Sequence, residues 1–230
     1  MLRVDATAPE PTAQGALLFV AEHYATRTVF TTGFGLEGCV LVSMIATGSL
    51  PIDIVTLDTG LLFPETYALW EELQQRYGVE IRGVKPVQNV AEQGLAHGDG
   101  LWARDPDLCC ALRKVQPLRQ TLARYDAWVT AIRRDQTPQR ARARAIETDA
   151  QFGLVKVNPL VAWNHEEVSA YAREHRVPFS PLHEQGFPSV GCVPCTSPVS
   201  AGEAPRVGRW RGLEKTECGL HTPVSDLPFR

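Results

Sequence analysis

The sequence predicts an α/β fold: a mainly parallel sheet with flanking helices. Three observations carry this. Short apolar, β-branched runs alternate with stretches of helical length. Glycine, proline and aspartate punctuate the joins between them. The chain's 230 residues, 44% of them hydrophobic, suffice to bury one sizeable core.

The elements follow in order. Residues 1–10 lack periodicity and read as a loose arm. Residues 12–24 suit a helix with Leu17, Leu18, Val20, Ala21 and Tyr24 inward. Thr28–Thr32 reads as a buried strand. Gly33-Phe34-Gly35-Leu36-Glu37-Gly38 is a glycine-rich turn, with a helix over 39–46 behind it. A second strand covers 52–57 and ends at Asp58-Thr59-Gly60. Pro64 opens a helix that Gly78 closes. A third strand covers 79–84, and a helix over 87–96 stops at Gly98. Pro106 opens a longer helix, which carries Cys109 and Cys110 and runs to Tyr125. A fourth strand covers 127–132, with Arg133 and Arg134 past its end, and 154–157 suits a fifth. Asn164 with Glu167 is a capping-box signature for a helix to His175. After Pro181 regular periodicity stops. The organisation expected is a body over 1–196 and a mobile tail over 197–230.

Charge excludes some partners. The net charge of −3 gives no global field for nucleic acid or a membrane surface. Arginines cluster locally, however, at Arg133, Arg134, Arg140, Arg142 and Arg144, which suits a small anion. The apolar stretch 16–21 is too short for a signal peptide or membrane span. A cytoplasmic protein is expected, and there cysteine pairs point to metal or catalysis rather than staples.

Two motifs carry chemistry. Gly33-x-Gly35-x-x-Gly38 follows a strand and opens a helix, with Asp58 20 residues past Gly38. That matches a dinucleotide fingerprint, yet its physics is only backbone N–H groups at a helix N-terminus holding an anion, so phosphate or sulfate fits equally. Thr31 and Thr32 add hydroxyls. The second motif is cysteine. Of six cysteines, Cys109-Cys110 and Cys192-x-x-Cys195 make a doublet and a close pair. Four thiolates can hold zinc or an iron–sulfur cluster. An adjacent pair is awkward for a single tetrahedral ion, whereas separated irons can each take one thiolate. A Cys109–Cys110 disulfide would need a strained ring. Cys39 reads as a buried small hydrophobe. Cys218 stands apart in Lys215-Thr216-Glu217-Cys218-Gly219-Leu220-His221, with Arg206 and Arg209 upstream, the company a reactive thiolate keeps. Gly208, Gly212 and Gly219 suggest flexibility around it.

These pieces together resemble the assimilatory adenylyl-sulfate (APS) and phosphoadenylyl-sulfate (PAPS) reductases, over nearly the whole chain from Phe30. The resemblance rests on Leu57-Asp58-Thr59-Gly60 with Phe63-Pro64-Glu65-Thr66-Tyr67, and on Cys109-Cys110-x-x-Arg113-Lys114-Val115. It extends through 128–136, Lys156-Val157-Asn158-Pro159-Leu160, Gly191-Cys192-x-x-Cys195-Thr196, and 215–221. It implies an adenine-nucleotide α-hydrolase-like sheet whose modified pyrophosphate loop spans Thr31 to Gly38, in place of the dinucleotide reading. It implies a [4Fe–4S] cluster on Cys109, Cys110, Cys192 and Cys195, the mark of the APS-using branch.

The activity implied is reduction of APS to sulfite and AMP in sulfate assimilation. Cys218 attacks the sulfate sulfur and carries a thiosulfonate, which thioredoxin or a similar dithiol protein then resolves. Substrate contacts are expected from Thr31, Gly33, Phe34, Gly35 and Gly38, from Leu57, Thr59 and Gly60, and from Arg113, Lys114, Arg206 and Arg209. Arg133 and Arg134 are weaker candidates. Competing readings are a PAPS or dual reductase, a PP-loop ATP pyrophosphatase, and a non-enzymatic iron–sulfur nucleotide sensor. A homo-oligomeric state is left open.

Overall fold

Five strands of one sheet run parallel and a sixth runs against them. The computed structural model describes residues 10–221, so most of the N-terminal arm and the last part of the tail lie outside the described residues. The strands are β1 (Thr28–Thr32), β2 (Asp53–Leu57), β3 (Ile81–Val84), β4 (Ala127–Val129), β5 (Ile146–Asp149) and β6 (Leu154–Val157). Their order is β3-β2-β1-β4-β6-β5, with only β5 antiparallel.

The helices are α1 (Ala13–Tyr24), α2 (Leu36–Thr47), α3 (Pro64–Tyr77), α4 (Val90–His97), α5 (Leu101–Arg104), α6 (Pro106–Cys110), α7 (Gln116–Leu122) and α8 (His165–Glu174). The period-two alternation of the strands sorts them into two layers. Phe30, Ile54, Ala127, Val129, Val155 and Val157 face a core built with α1, α2, α3 and α8. Val29, Val55, Trp128 and Leu154 face Leu118 and Leu122 of α7. Both faces are covered, which is why the central strands read as continuous apolar runs. In α2, every residue from Gly38 to Ile45 is buried, so that helix shows no polar face.

Several boundaries differ from the sequence reading, each for a physical reason. In α1 the core side is Ala13, Ala16, Leu17 and Val20, and Leu18 is exposed because it falls off that stripe. Helix α2 starts at Leu36, so Gly38 lies inside it rather than in the turn. β4 is shorter than expected: Thr130 makes one further bond to Val157, and the chain then leaves the ladder. β5 is a polar edge strand whose Glu147 and Asp149 both take Lys156 at 3.6 Å, so it carried no apolar signal. Both capping boxes are present, at Asn164 with Glu167 and, unforeseen, at Asn89 with Glu92.

The long helix after Pro106 is not continuous. Ala111–Val115 is a π-helical turn between α6 and α7, closed by Gln116 N–H donating to the Ala111 carbonyl. Pro117 explains it. A proline there has no N–H to give and its ring would strike the carbonyl four residues back, so the chain widens instead.

Candidate active site

β1 sends the chain to β2 and β3 on one side, while β4 and β6 lie on the other. The carboxyl ends of β1 and β4 therefore flank a switch point, where open α/β sheets bind ligands. A cavity of about 780 Å³ opens there. Its walls include the Thr31–Gly38 loop, Leu57 at the end of β2 and Thr59 past it, and the stretch from Thr130 to Arg133 past β4.

The loop is shaped by two hydroxyls and one glycine. Thr32 Oγ1 accepts from Phe34 N–H at 3.0 Å, and Thr31 Oγ1 accepts from Trp128 Nε1 at 2.7 Å. Gly38 has no room for a side chain, since a Cβ would lie 2.5 Å from Thr32 Oγ1. Gly35 is the extended N-cap of α2, and the left-handed residue is Phe34, at φ 58°. The free N–H groups of the first turn of α2 face this loop, a ready anion seat.

Cations dominate the wall. Lys114, Arg133, Arg140, Arg173, Arg206 and Arg209 line the cavity against Glu37, Asp135 and Glu184. Nε of Arg206 and Arg209 and Nη1 of Arg133 are buried without a hydrogen-bond partner, while Arg133 Nε faces Glu37 at 3.2 Å and Asp135 at 3.3 Å. Burial holds Arg206 below the ordinary arginine range, although Glu217 beside it works the other way. Buried, unanswered guanidinium N–H groups are costly, and an anionic ligand would answer them.

Other expected contacts lie elsewhere. Arg113 does not line the cavity. Its guanidinium donates to the Thr59 carbonyl at 2.6 Å, to the Gln88 carbonyl at 3.3 Å and to Gln93 Oε1 at 2.9 Å. It braces the loop after β2 from behind. Gly60, at φ 69°, backs onto that guanidinium. Arg134 bonds Glu10 and the Ala143 carbonyl.

The four paired cysteines converge. Asp105 caps α6 by accepting from Leu108 N–H at 2.9 Å, and Cys109 and Cys110 end that helix, both buried. Cys192 and Cys195 flank a single turn at Val193–Cys195, tied to the body by Val193 N–H to the Leu61 carbonyl at 2.8 Å. Cys110, Cys192 and Cys195 pack with Trp210, and Thr59 Oγ1 lies 3.3 Å from Cys192 Sγ. Burial pushes the Cys110 thiol up to about 12, and burial together with Cys192 raises Cys109 and Cys195. Burial works to lower Lys114, yet Cys192, Cys110 and Cys218 around it raise it above the lysine range.

The donor set is four buried, unpaired thiols with an ammonium beside them and the orphaned Trp210 Nε1 among them. It fits a thiolate-held, multi-iron group. Among the described residues no group of three or more His, Cys, Asp or Glu side chains is placed to hold a metal ion. Cys39, fully buried, gives its S–H to the Phe34 carbonyl at 3.7 Å, and burial raises its thiol far from reactivity.

The segment from 197 to 221 is packed onto the body. Trp210 is 3% exposed. Gly208 marks close approach rather than freedom, since a Cβ would lie 2.2 Å from the Ser197 carbonyl oxygen. Leu220 packs against the α7 layer, and His221 stacks on Trp128. Cys218 lines the cavity and also packs against the cysteine cluster. The cations near it in sequence each have another partner: Lys215 pairs with Asp107, Arg206 with Glu217, and Arg209 donates to the Val190 carbonyl at 3.2 Å. Sequence reasoning did not single out Arg140, Trp128 or Thr130 for the site. Arg140 stood in the arginine-rich run, and that local charge was the available signal.

A six-stranded sheet with this order and a nucleotide-sized cationic cavity at its switch point is an adenine-nucleotide α-hydrolase-like protein. The phosphoadenosine phosphosulfate reductase domain family matches residues 27–198. The chain is 44% identical over 210 residues to the adenosine 5'-phosphosulfate reductase of Bacillus velezensis, covering 91% of this chain and 90% of that one. It is 47% identical over 195 residues to that of Rhodococcus erythropolis, covering 85% and 79%. The crystal structure of phosphoadenylyl-sulfate (PAPS) reductase from Candida auris, a phosphate complex, superposes with a TM-score of 0.72 at 31% identity, over 83% of this chain and 91% of that one. FMN adenylyltransferase of Candida glabrata shares the fold alone, at a TM-score of 0.55 and 18% identity, over 93% and 79%. The chain belongs to the phosphoadenosine phosphosulfate reductase family.

Proposed function

We propose that this chain reduces adenylyl sulfate to sulfite and AMP in sulfate assimilation, through a thiosulfonate on Cys218. One observation supports the mechanism above others: Cys218 stands on the wall of a cavity lined by Lys114, Arg133, Arg206 and Arg209. The relatives named adenosine 5'-phosphosulfate reductase support the substrate.

The glycine loop and the N-terminus of α2 hold one anionic end of the substrate, and the cations hold the other. The Cys218 thiolate attacks the sulfate sulfur. The S–S bond forms as the bond from sulfur to the bridging oxygen breaks, and AMP leaves with that electron pair. A thiolate of thioredoxin then attacks Cys218 Sγ, and sulfite departs with the S–S pair. The second thioredoxin thiol resolves the mixed disulfide and returns Cys218 as thiolate. Sulfur gains two electrons and the dithiol loses two.

Cys109, Cys110, Cys192 and Cys195 would hold a [4Fe–4S] cluster, which when bound supplies structural support and a charge beside the sulfate end. Lys114 sits between those thiols and the cavity. The body spans 1–196 and the tail 197–230, and within that tail the stretch past the seated Trp210 carries Cys218 to the substrate and outward to the reductant. A reducing cytoplasm suits six unpaired cysteines. Among the described residues no helix is long and apolar enough to cross a membrane.

The test is intact mass spectrometry after incubation with APS and no reductant. One SO3 group should appear on Cys218, and thioredoxin should release it as sulfite. Tight APS binding with no adduct refutes the mechanism. Faster adduct formation from PAPS than from APS reassigns the substrate.

A further inference from the structure

Next to Cys218, the Glu217 carboxylate is enclosed by the body. Its Oε1 accepts from Arg140 Nε at 2.9 Å and from Thr137 Oγ1 at 3.1 Å. Its Oε2 accepts from Arg140 Nη2 at 2.8 Å and from Arg206 Nη2 at 3.4 Å. This is a two-pronged guanidinium–carboxylate pair, and its side chains are only 10% and 9% exposed. Contacts to Thr216 reinforce it on the same side: Arg206 Nη2 donates to its carbonyl at 3.1 Å, and Gln139 Nε2 donates to its Oγ1 at 3.3 Å.

Arg140 belongs to the body, on the one-turn helix Pro138–Arg140, and Gln136 accepts from its remaining Nη1. Glu217 belongs to the segment that delivers the thiol. Of the polar groups on 213–218, Glu217 makes the most deeply enclosed link back to the body, one residue from the reacting sulfur. An exposed pair would contribute little, but a desolvated, bidentate one is strongly directional.

We propose that Glu217 is a positioning residue whose grip on Arg140 sets where Cys218 stands over the cavity. Arg140 is then a docking group for the tail, and the substrate anion is left to the other cations. The inference rests on the proposed chemistry for its kinetic consequence, but not for the clamp itself.

The experiment uses the full-length, cluster-loaded protein. It measures alkylation of Cys218 by iodoacetamide without nucleotide, with the site read by peptide mass, in Glu217→Gln, Arg140→Gln and the double variant. Arg140→Lys serves if Arg140→Gln does not fold, because lysine cannot make the fork. Removing a carboxylate and removing a guanidinium drive a nearby thiol's reactivity in opposite directions. Loss of docking drives both the same way. Alkylation should therefore quicken by about tenfold or more in each single variant, with the double variant no faster than either. Single-turnover sulfonation by APS should slow by a similar factor in Glu217→Gln, while its APS affinity in a Cys218→Ser background moves by less than about threefold.

Quickening in one single variant with slowing in the other overturns the clamp, as does no change in either. APS binding tighter by about tenfold in Glu217→Gln also overturns it, because the carboxylate would then be a stand-in for the substrate anion. Wild-type protein that never forms the sulfonate, with the alkylation pattern as expected, refutes the reductase chemistry and leaves the clamp standing.

Discussion

Trp128 and His221 lie face to face, with ring centroids 5.2 Å apart and planes 13° from parallel. Trp128 also gives its Nε1 proton to Thr31 Oγ1, and Lys156 Nζ lies 5.4 Å from the centre of its ring. One indole therefore touches the glycine loop, the neighbouring strand and the C-terminal segment.

That contact makes docking sensitive to acid. Burial first, then Arg140, Lys156 and Arg206, hold His221 well below its ordinary value of 6.5. The docked ring is neutral, while a released one titrates normally. Its contribution is thus complete above the ordinary value and declines as pH falls below it. His221→Phe keeps the stack without the titration. Between about pH 7.5 and about pH 5.5 the wild type should lose more Tm than this variant. Parallel losses would show that His221 does not govern the effect.

Gly38→Ala should disturb the loop without touching a charge. The new methyl would lie 2.5 Å from Thr32 Oγ1, the acceptor for Phe34 N–H. Nucleotide affinity, read by equilibrium dialysis with AMP, should fall by about tenfold. Adding Thr32→Ala relieves the crowding, so the double variant should bind better than Gly38→Ala alone.

Arg133 and Glu37 form a pair 3.2 Å apart, with Arg133 side-chain exposure of 7%. Asp135 Oδ1 lies 3.3 Å from the same Arg133 Nε but is 45% exposed, so removing Glu37 leaves the buried cation one well-solvated partner. Glu37→Gln should cost about 1–3 kcal/mol in denaturant unfolding, because Asp135 still faces the guanidinium. Glu37→Gln with Arg133→Gln should cost less than that, and strict additivity would mean the two do not act as a pair.

Pro117→Ala restores a backbone N–H and removes the ring that widens the Ala111–Val115 turn. The ladder can then run on as α-helix, which rotates Cys109 and Cys110 relative to α7. With the proposed cluster on these cysteines, iron bound per chain should fall while far-ultraviolet circular dichroism keeps its helical content. Full iron occupancy would show that the π turn does not set the cysteine geometry.

Much of this was legible in the residues. β1 carries its own signature in Thr28–Thr32, and Asn164 with Glu167 announces α8, because both signals are local. The doublet and the close cysteine pair pointed to a shared metal centre by themselves, and the resemblance added the cluster type; in the fold Cys110, Cys192 and Cys195 pack together against Trp210. What stayed hidden depends on distance in the chain. Arg113 follows the cysteine doublet as Lys114 does, yet the π turn leaves Lys114 on the cavity wall while Arg113 points to Gln93. Gly208 reads as a hinge until the Ser197 carbonyl is seen against it. β5 escaped notice because its partner Lys156, not hydrophobicity, holds its acids.

Past Trp210, no residue up to Cys218 is buried to a comparable degree. If that indole stays seated, eight residues of chain form the leash, and fully stretched they reach at most about 28 Å. The sulfur therefore patrols a small sphere around its own protein. Under the proposed mechanism the dithiol protein has to come within that radius and present its own thiol there, which puts recognition between the two proteins on the rim of the cavity and not at a distance.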